Sequence, residues 1–306
     1  MRILVVGAGA VGGYFGGRLI DAGANVTFLV RERRARQLAE TGLVIRSPNG
    51  DLDLTPKLVT AEHLEETADL VLLSCKAYDL DAAMQSFAPA VGPETAILPL
   101  LNGMRHLDIL AARFGDSAVL GGQCVISSTL DDAGRILHLN ASDALTYGER
   151  DGSFSPRVEA IQSCFAAARF ESRLSPDIRQ DMWEKFVFLA TLAGITCLMR
   201  TTIGDIVAAG AADLAVSLLD ECADVAAAQG FPPREDARAR ALAMLTESGS
   251  GITASMLRDI ERGGATEGDH ILGDLLRRAE GGSTPLLRLA TAHLAAYEVR
   301  RGRVSG

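Results

Sequence analysis

Apolar residues come in short continuous runs through the first half of the chain and at helical spacing through the second. Ile3 to Val6 form such a run, the signature of a strand buried on both faces of a parallel sheet. Similar runs predict strands at 2–6, 25–30, 69–74, 95–100, 118–127 and near 135–148, with helices between them. This alternation predicts an α/β fold with a Rossmann-type, doubly wound parallel sheet. Arg46-Ser-Pro-Asn-Gly50 reads as a hairpin turn on the sheet's margin. The pattern changes at Ser175-Pro-Asp177, where a Ser or Asp cap and a first-turn Pro open a long helix through about Ala209. Beyond it every segment has helical period, interrupted at Gly230-Phe-Pro-Pro233, Gly249-Ser-Gly251, Gly263-Gly264 and Gly281-Gly282. The expectation is a sheet domain over 1–176 and an all-helical domain over 177–306. A site is expected in the cleft between them, beyond the carboxyl ends of the strands.

Chemistry enters at the end of the first strand. Gly7-Ala8-Gly9-Ala10-Val11-Gly12 has the G-x-G-x-x-G spacing, between a predicted strand and a predicted helix. The first glycine permits the tight turn, the second lets backbone approach a pyrophosphate, and the third lets helix and strand pack closely. The helix N-terminus offers amide N–H groups and partial positive charge to phosphates. The segment therefore predicts dinucleotide binding; the bland alternative is a glycine-rich turn selected for packing alone. At the end of the second strand an NAD-specific site usually places Asp or Glu, to accept from the ribose 2′-hydroxyl. This chain has Arg31, whose guanidinium suits a 2′-phosphate, so NADP(H) is the expected cofactor. Glu32 is the competing signal, although it could face solvent or pair with Arg36 at helical spacing.

Composition narrows the class. The chain has 306 residues, 48% of them hydrophobic, enough for two cores. A net charge of −9 argues against nucleic acid or an anionic membrane as the main partner. Five cysteines without a C-x-x-C pair read as buried free thiols in a reducing compartment. The five histidines lack i, i+4 pairing, so no metal site is expected. No uninterrupted apolar run reaches transmembrane length, and the chain opens on a core strand with no signal peptide, so the expected location is the cytoplasm. Oligomeric state is not legible; a homodimer is left open.

Four further segments carry candidate chemistry. Lys76 follows the third sheet strand, and Asn102-Gly103 forms a turn after the next. Met182-Trp-Glu-Lys185 lies early in the long helix. Ser255-Met256, Asp259, Gly263 and Thr266-Glu267-Gly-Asp269 run helix, glycine turn, helix. Each has a bland reading: a surface lysine, a plain turn, a Lys185–Asp181 ion pair, a helix cap. Together, in order and spacing over about residues 2–300, they resemble ketopantoate reductases (2-dehydropantoate 2-reductases). The resemblance implies a Rossmann domain joined to a helical domain like that of 6-phosphogluconate dehydrogenases, and NADPH-dependent reduction of a 2-oxo acid. It assigns Lys185 as proton donor and Asn102 as the residue near cofactor and lysine. Glu267 becomes the carboxylate closing on cofactor and site, and Ser255 a hydroxyl touching substrate. Lys76 and Gly103 fall on the cofactor side. Chemically, a ketone receiving hydride accumulates charge on its oxygen, which a positioned ammonium can stabilise and then protonate.

One departure bears on the substrate. The family usually carries asparagines four and eight residues beyond the catalytic lysine, on its face of the helix; here those positions are Leu189 and Ala193, and a further asparagine position corresponds to Ile203. A substrate hydroxyl left without a partner costs about 1–3 kcal/mol. Thr196 and Arg200 fall near the same face, and Arg200 could take over a substrate carboxylate if the helix stays straight. Three readings stay open: a ketopantoate reductase of pantothenate synthesis with altered contacts, a reductase of a more apolar 2-oxo acid or related carbonyl, and a non-catalytic NADP(H)-binding sensor.

Overall fold

The apolar run after Arg2 forms β1 (Arg2–Val6), the central strand of a parallel sheet in a computed structural model that describes residues 1–304. Around it stand β2 (Asn25–Leu29), β5 (Lys57–Val59), β6 (Ala68–Leu73) and β7 (Val91–Pro99), in the order β5-β2-β1-β6-β7. All four pairings are parallel. The chain leaves β1 toward one edge and returns to build the other, so the order reverses between β1 and β6. That reversal opens a crevice at the carboxyl ends of the two strands, where ligands bind in such sheets.

The remaining strands do not join this sheet. β3 (Leu43–Arg46), β4 (Leu52–Leu54), β8 (Gly121–Leu130), β9 (Ile136–Gly148) and β10 (Ser172–Leu174) form a second sheet. The expectation that 118–127 and 135–148 alternate with helices in the parallel sheet is corrected here: no helix separates β8 from β9, and the two pair antiparallel. The cause is local. Asp131-Asp-Ala-Gly134 turns the chain within four residues, with Gly134 at φ 78° and Asp131 N donating to Arg135 O. A turn so short can return the chain only antiparallel. Val119, just before β8, bridges to Ile97 of the parallel sheet, and Leu120 N donates to Ile97 O at 2.9 Å. The 46–50 turn does close a hairpin, β3 with β4, but on the margin of the second sheet.

The helix Ala10–Asp21 packs between the sheets, and its glycines make that possible. A Cβ on Gly16 would lie 2.5 Å from Phe28 of the parallel sheet, and one on Gly17 2.6 Å from Ile45 of the second. Tyr14, Phe15 and Leu19 fill the core around it.

The chain divides into two compact units: Met1–Leu101 with His106–Arg179, and Asn102–Arg105 with the chain from Gln180 onward. The second unit is helical. Its first helix, Ile178–Met199, is long and apolar enough by length and composition alone to cross a membrane; 67% of its most apolar stretch is buried within the fold, as for a core helix. The expected continuation to about Ala209 is corrected. The helix stops at Met199, Arg200 takes φ 57°, and a new helix, Ile203–Ala208, starts with Thr202 Oγ1 accepting from Asp205 N. Further helices run Ala212–Ala228, Glu235–Leu245, Ser255–Glu261 and Pro285–Val304, with a wider π-helical turn over Asp269–Gly273. Glu221 accepts from the amides of Leu286 and Leu287, so one helix caps the start of another with a carboxylate.

Candidate functional site

In the first unit the glycine loop emerges from β1 at the crevice. Gly7 has φ 93°, a conformation that L side chains rarely adopt. A Cβ on Gly9 would meet nothing within 4 Å, so this glycine faces open space. A Cβ on Gly12 would lie 2.0 Å from Ser74 Oγ and 2.4 Å from Gly7 O, so this glycine is required by packing. The helix begins at Ala10, and the amide of Gly13 bonds to Gly9 O at 2.9 Å. Ala8, Ala10 and Val11 thus belong to the turn and first helical residues, where amides point out of the helix end. Ser74, directly after β6, donates to Val6 O at 3.0 Å and fastens the ends of β1 and β6 together.

Arg31 follows β2 as the cap of the helix Glu32–Thr41 and is exposed. It donates to Asp79 Oδ1 at 2.7 Å. Glu32 turns along its own helix toward Arg36, at 3.8 Å, so it does not engage Arg31. Arg34 is a brace: it donates to Ala8 O at 3.1 Å and to Gly134 O at 3.0 Å, joining the glycine loop to the β8–β9 hairpin. Lys76 is half-buried ahead of the short turn Ala77–Asp79 at the carboxyl end of β6. An open Gly9 beside a helix N-terminus is the arrangement that lets a dinucleotide pyrophosphate approach backbone amides.

In the second unit Lys185 Nζ donates to Asn102 Oδ1 at 3.0 Å. Lys185 stands two turns into the helix Ile178–Met199, and Asn102 opens the loop after β7. Gly103, at φ 85°, has His270 and Phe186 about it, since a Cβ there would lie 3.5 Å from His270 Cδ2 and 3.6 Å from Phe186 Cε2. Arg105, closing the same loop, donates to Asp269 Oδ2 at 2.8 Å, and Asp269 also accepts from Arg277 at 2.7 Å. Burial pushes His270 below its ordinary value, while the charges of Glu267 and Asp274 and a hydrogen bond to the backbone of Asn102 oppose the shift. The π-helical turn therefore holds the Asn102–Arg105 loop through two successive residues, Asp269 on Arg105 and His270 on Asn102. Glu267, half-buried just before that turn, accepts from Ile271 N through its carbonyl.

Leu189 is half-buried and Ala193 buried, one and two turns beyond Lys185 on an unbroken helix, so the three share a face. Thr196 is committed elsewhere: it donates to Leu192 O at 2.6 Å and accepts from Ala254 N at 3.4 Å. That bond ties the helix to the segment preceding Ser255, which is exposed at the start of Ser255–Glu261. Arg200 lies past the helix end and is exposed, which removes the premise of a straight helix carrying it beside Lys185. Thr266 is held by Glu298, through both its amide and its hydroxyl, at 2.7 Å. Trp183 stacks on Phe231 at 5.8 Å, and Glu184 pairs with Arg234, so the residues flanking Lys185 anchor the helix.

Sequence reasoning overlooked Ser74, Asp79, Asp269 as the Arg105 partner, and His270. Ser74 and Asp79 bracket Lys76, and their position directly after a central strand is the signal that marks them. No local pattern marks His270, because its role depends on a loop some 170 residues away in the chain.

Two family descriptions match this chain: "Ketopantoate reductase PanE/ApbA" over residues 3–152, and its C-terminal counterpart over residues 177–298. The uncharacterized oxidoreductase YkpB of Bacillus subtilis is 40% identical over 98% of this chain and 100% of its own length. A 2-dehydropantoate 2-reductase of Archaeoglobus fulgidus is 28% identical over 91% of both chains. The crystal structure of 2-dehydropantoate 2-reductase from Methylococcus capsulatus superposes with a TM-score of 0.88, at 28% identity and 98% coverage of each chain. Glycine loop, Lys185–Asn102 pair, sheet-plus-helical architecture and matches over nearly the whole length agree: this chain belongs to the PanE/ApbA ketopantoate reductase family.

Proposed function

We propose that this protein is an NADPH-dependent reductase of a 2-oxo acid. The observation that carries the reading is the 3.0 Å bond from Lys185 Nζ to Asn102 Oδ1. An amide oxygen accepts from the ammonium and fixes its direction without neutralising its charge. Bound reduced nicotinamide supplies the hydride. Lys185 offers positive charge to the oxygen of the carbonyl being reduced and then gives it a proton, leaving a 2-hydroxy acid. Asn102 sets the position from which that proton is given. Glu267 stands beside the turn that holds the Asn102 loop, as a carboxylate able to accept from the cofactor's hydroxyls. In the first unit, Gly7 to Gly12 and the helix end take the pyrophosphate, Arg31 takes the 2′-phosphate, and Lys76, at the carboxyl end of β6, contacts the cofactor.

Turnover is the test. NADPH oxidation is followed by absorbance against a panel of 2-oxo acids, with Lys185→Ala in parallel. Consumption by the native protein and its loss in the variant support the reading. No turnover with any 2-oxo acid, with NADPH still bound, favours the non-catalytic sensor.

A second reading, of substrate, rests on Leu189 and Ala193. Beside Lys185 they present alkyl surface where the family usually presents amides, which favours a 2-oxo acid with an alkyl or aryl group over one with a distal hydroxyl. We expect kcat/KM for ketopantoate to be matched or exceeded by its analogue lacking that hydroxyl, and L189N with A193N to shift preference back. High efficiency on ketopantoate with rejection of the deoxy analogue would overturn the apolar-substrate reading.

A further inference from the structure

The end of β2 carries arginine where NAD-specific sites carry an acid, yet a carboxylate reaches that arginine from another strand. Asp79 closes the short turn after β6, and β6 and β2 flank β1 on opposite sides. The Arg31–Asp79 pair, 2.7 Å between Nη2 and Oδ1, therefore bridges the carboxyl ends of the two strands that bracket the glycine loop. The tether is short. Asp79 N donates to Lys76 O at 2.9 Å within a single turn, so the carboxylate is presented by backbone geometry rather than by a long flexible side chain.

We propose that Asp79 is a cofactor-selectivity residue that opposes the 2′-phosphate and favours the 2′-hydroxyl, so that this enzyme uses NADH as well as NADPH. The inference rests on the reading of Arg31 as the 2′-phosphate ligand. A phosphate seated on Arg31 brings negative charge next to a carboxylate that already accepts from the same guanidinium. The anion must displace Asp79 from Arg31 or share the cation with it, and either course weakens NADPH binding. A ribose 2′-hydroxyl meets the same carboxylate as a donor meeting an acceptor, which is the contact an acid at the end of the second strand supplies in NAD-specific sites. Glu32 does not do this, because it is turned toward Arg36. The side chain of Arg31 is 75% exposed and that of Asp79 35%, so water screens both effects and limits them to modest factors.

The test compares native protein, Asp79→Asn and Arg31→Ala. Asn keeps the size of Asp and removes its charge; Asp79→Ser serves as a second variant without the amide. Dissociation constants of NADPH and NADH are measured by fluorescence titration, and kcat/KM is measured with each cofactor on one 2-oxo acid. Asp79→Asn is expected to raise the NADPH-to-NADH ratio about fivefold to twentyfold, through tighter NADPH and weaker NADH. Arg31→Ala is expected to lower it. An unchanged or lowered ratio in both Asp79 variants, with Arg31→Ala still selective against NADPH, overturns the inference about Asp79 and leaves the 2′-phosphate assignment standing. Equal loss of both cofactors in Arg31→Ala overturns the assignment itself, and the inference with it.

Discussion

At the residue scale the proposed chemistry rests on a single ammonium, and the packing of the glycine loop on a single missing methyl group. Lys185→Ala removes the group held by Asn102, and kcat is expected to fall by about 10²–10⁴-fold, the usual worth of a positioned general acid, while NADPH affinity is retained. Single-turnover kinetics beside a cofactor titration checks both halves. Near-native turnover would place the proton donor elsewhere. Gly12→Ala puts a Cβ 2.4 Å from the carbonyl of Gly7, where backbone must move. The variant is expected to lose NADPH binding and about 1–3 kcal/mol of stability, read by titration and urea unfolding. Gly12 and Lys185 were both legible in the sequence, the first by its place between strand and helix and the second by its place in a longer pattern. Arg34 was not, because the arginine run Arg31-Glu-Arg-Arg34 looks uniform until the fold gives each member a different neighbour.

At the scale of elements, the helix Ile178–Met199 decides where Lys185, Leu189 and Ala193 stand, and its end decides what Arg200 can do. Arg200 adopts φ 57° at that end, a left-handed conformation that costs a non-glycine residue about 1–2 kcal/mol. Arg200→Gly is therefore expected to stabilise the protein by about 1 kcal/mol, raising Tm by roughly 2–4 °C, with kcat/KM unchanged. A marked loss of kcat/KM would return Arg200 to the substrate site. The sequence pattern ran this helix on to Ala209 because residues on both sides of the break are apolar and lack proline. The break is set instead by Thr202, which caps the next helix, and by the bonds of Ile203 N and Gly204 N to Ile252 O and Ser250 O.

For the molecule as a whole, acid is the lever that reaches both units. Burial pushes Glu149 up, but hydrogen bonds from Arg157 and Ser155 outweigh it and leave the carboxyl below its ordinary value; Glu184 is held low in the same way by Arg234 and Gln180 against its own burial. A depressed carboxyl contributes stability above its ordinary value and loses it as pH falls through the lowered one. His270, pushed below its ordinary 6.5 mainly by burial, stays neutral in the fold while the unfolded chain takes up a proton, so it too makes stability fall with pH. Urea unfolding from pH 8 to 3 is expected to show a first decline beginning near 6.5 and a steeper one below the ordinary carboxylate range. His270→Gln should remove the first decline and spare the second. A first decline that survives the substitution would assign it to another group.

The sequence by itself determined four of the five strands of the parallel sheet (β1, β2, β6 and β7), the glycine loop, the mostly helical second half and the family pattern around Lys185, because each depends on local spacing that a strand, turn or helix imposes. Tertiary structure alone decided the second sheet, since a short loop fixes that β8 and β9 are antiparallel but not which strands they join. It alone placed the carboxylate of Asp79 on Arg31 and the turn of Asp269 and His270 on the Asn102 loop. These pairings span from 48 to more than 160 residues of chain, and such contacts follow from how elements pack, which no local pattern encodes.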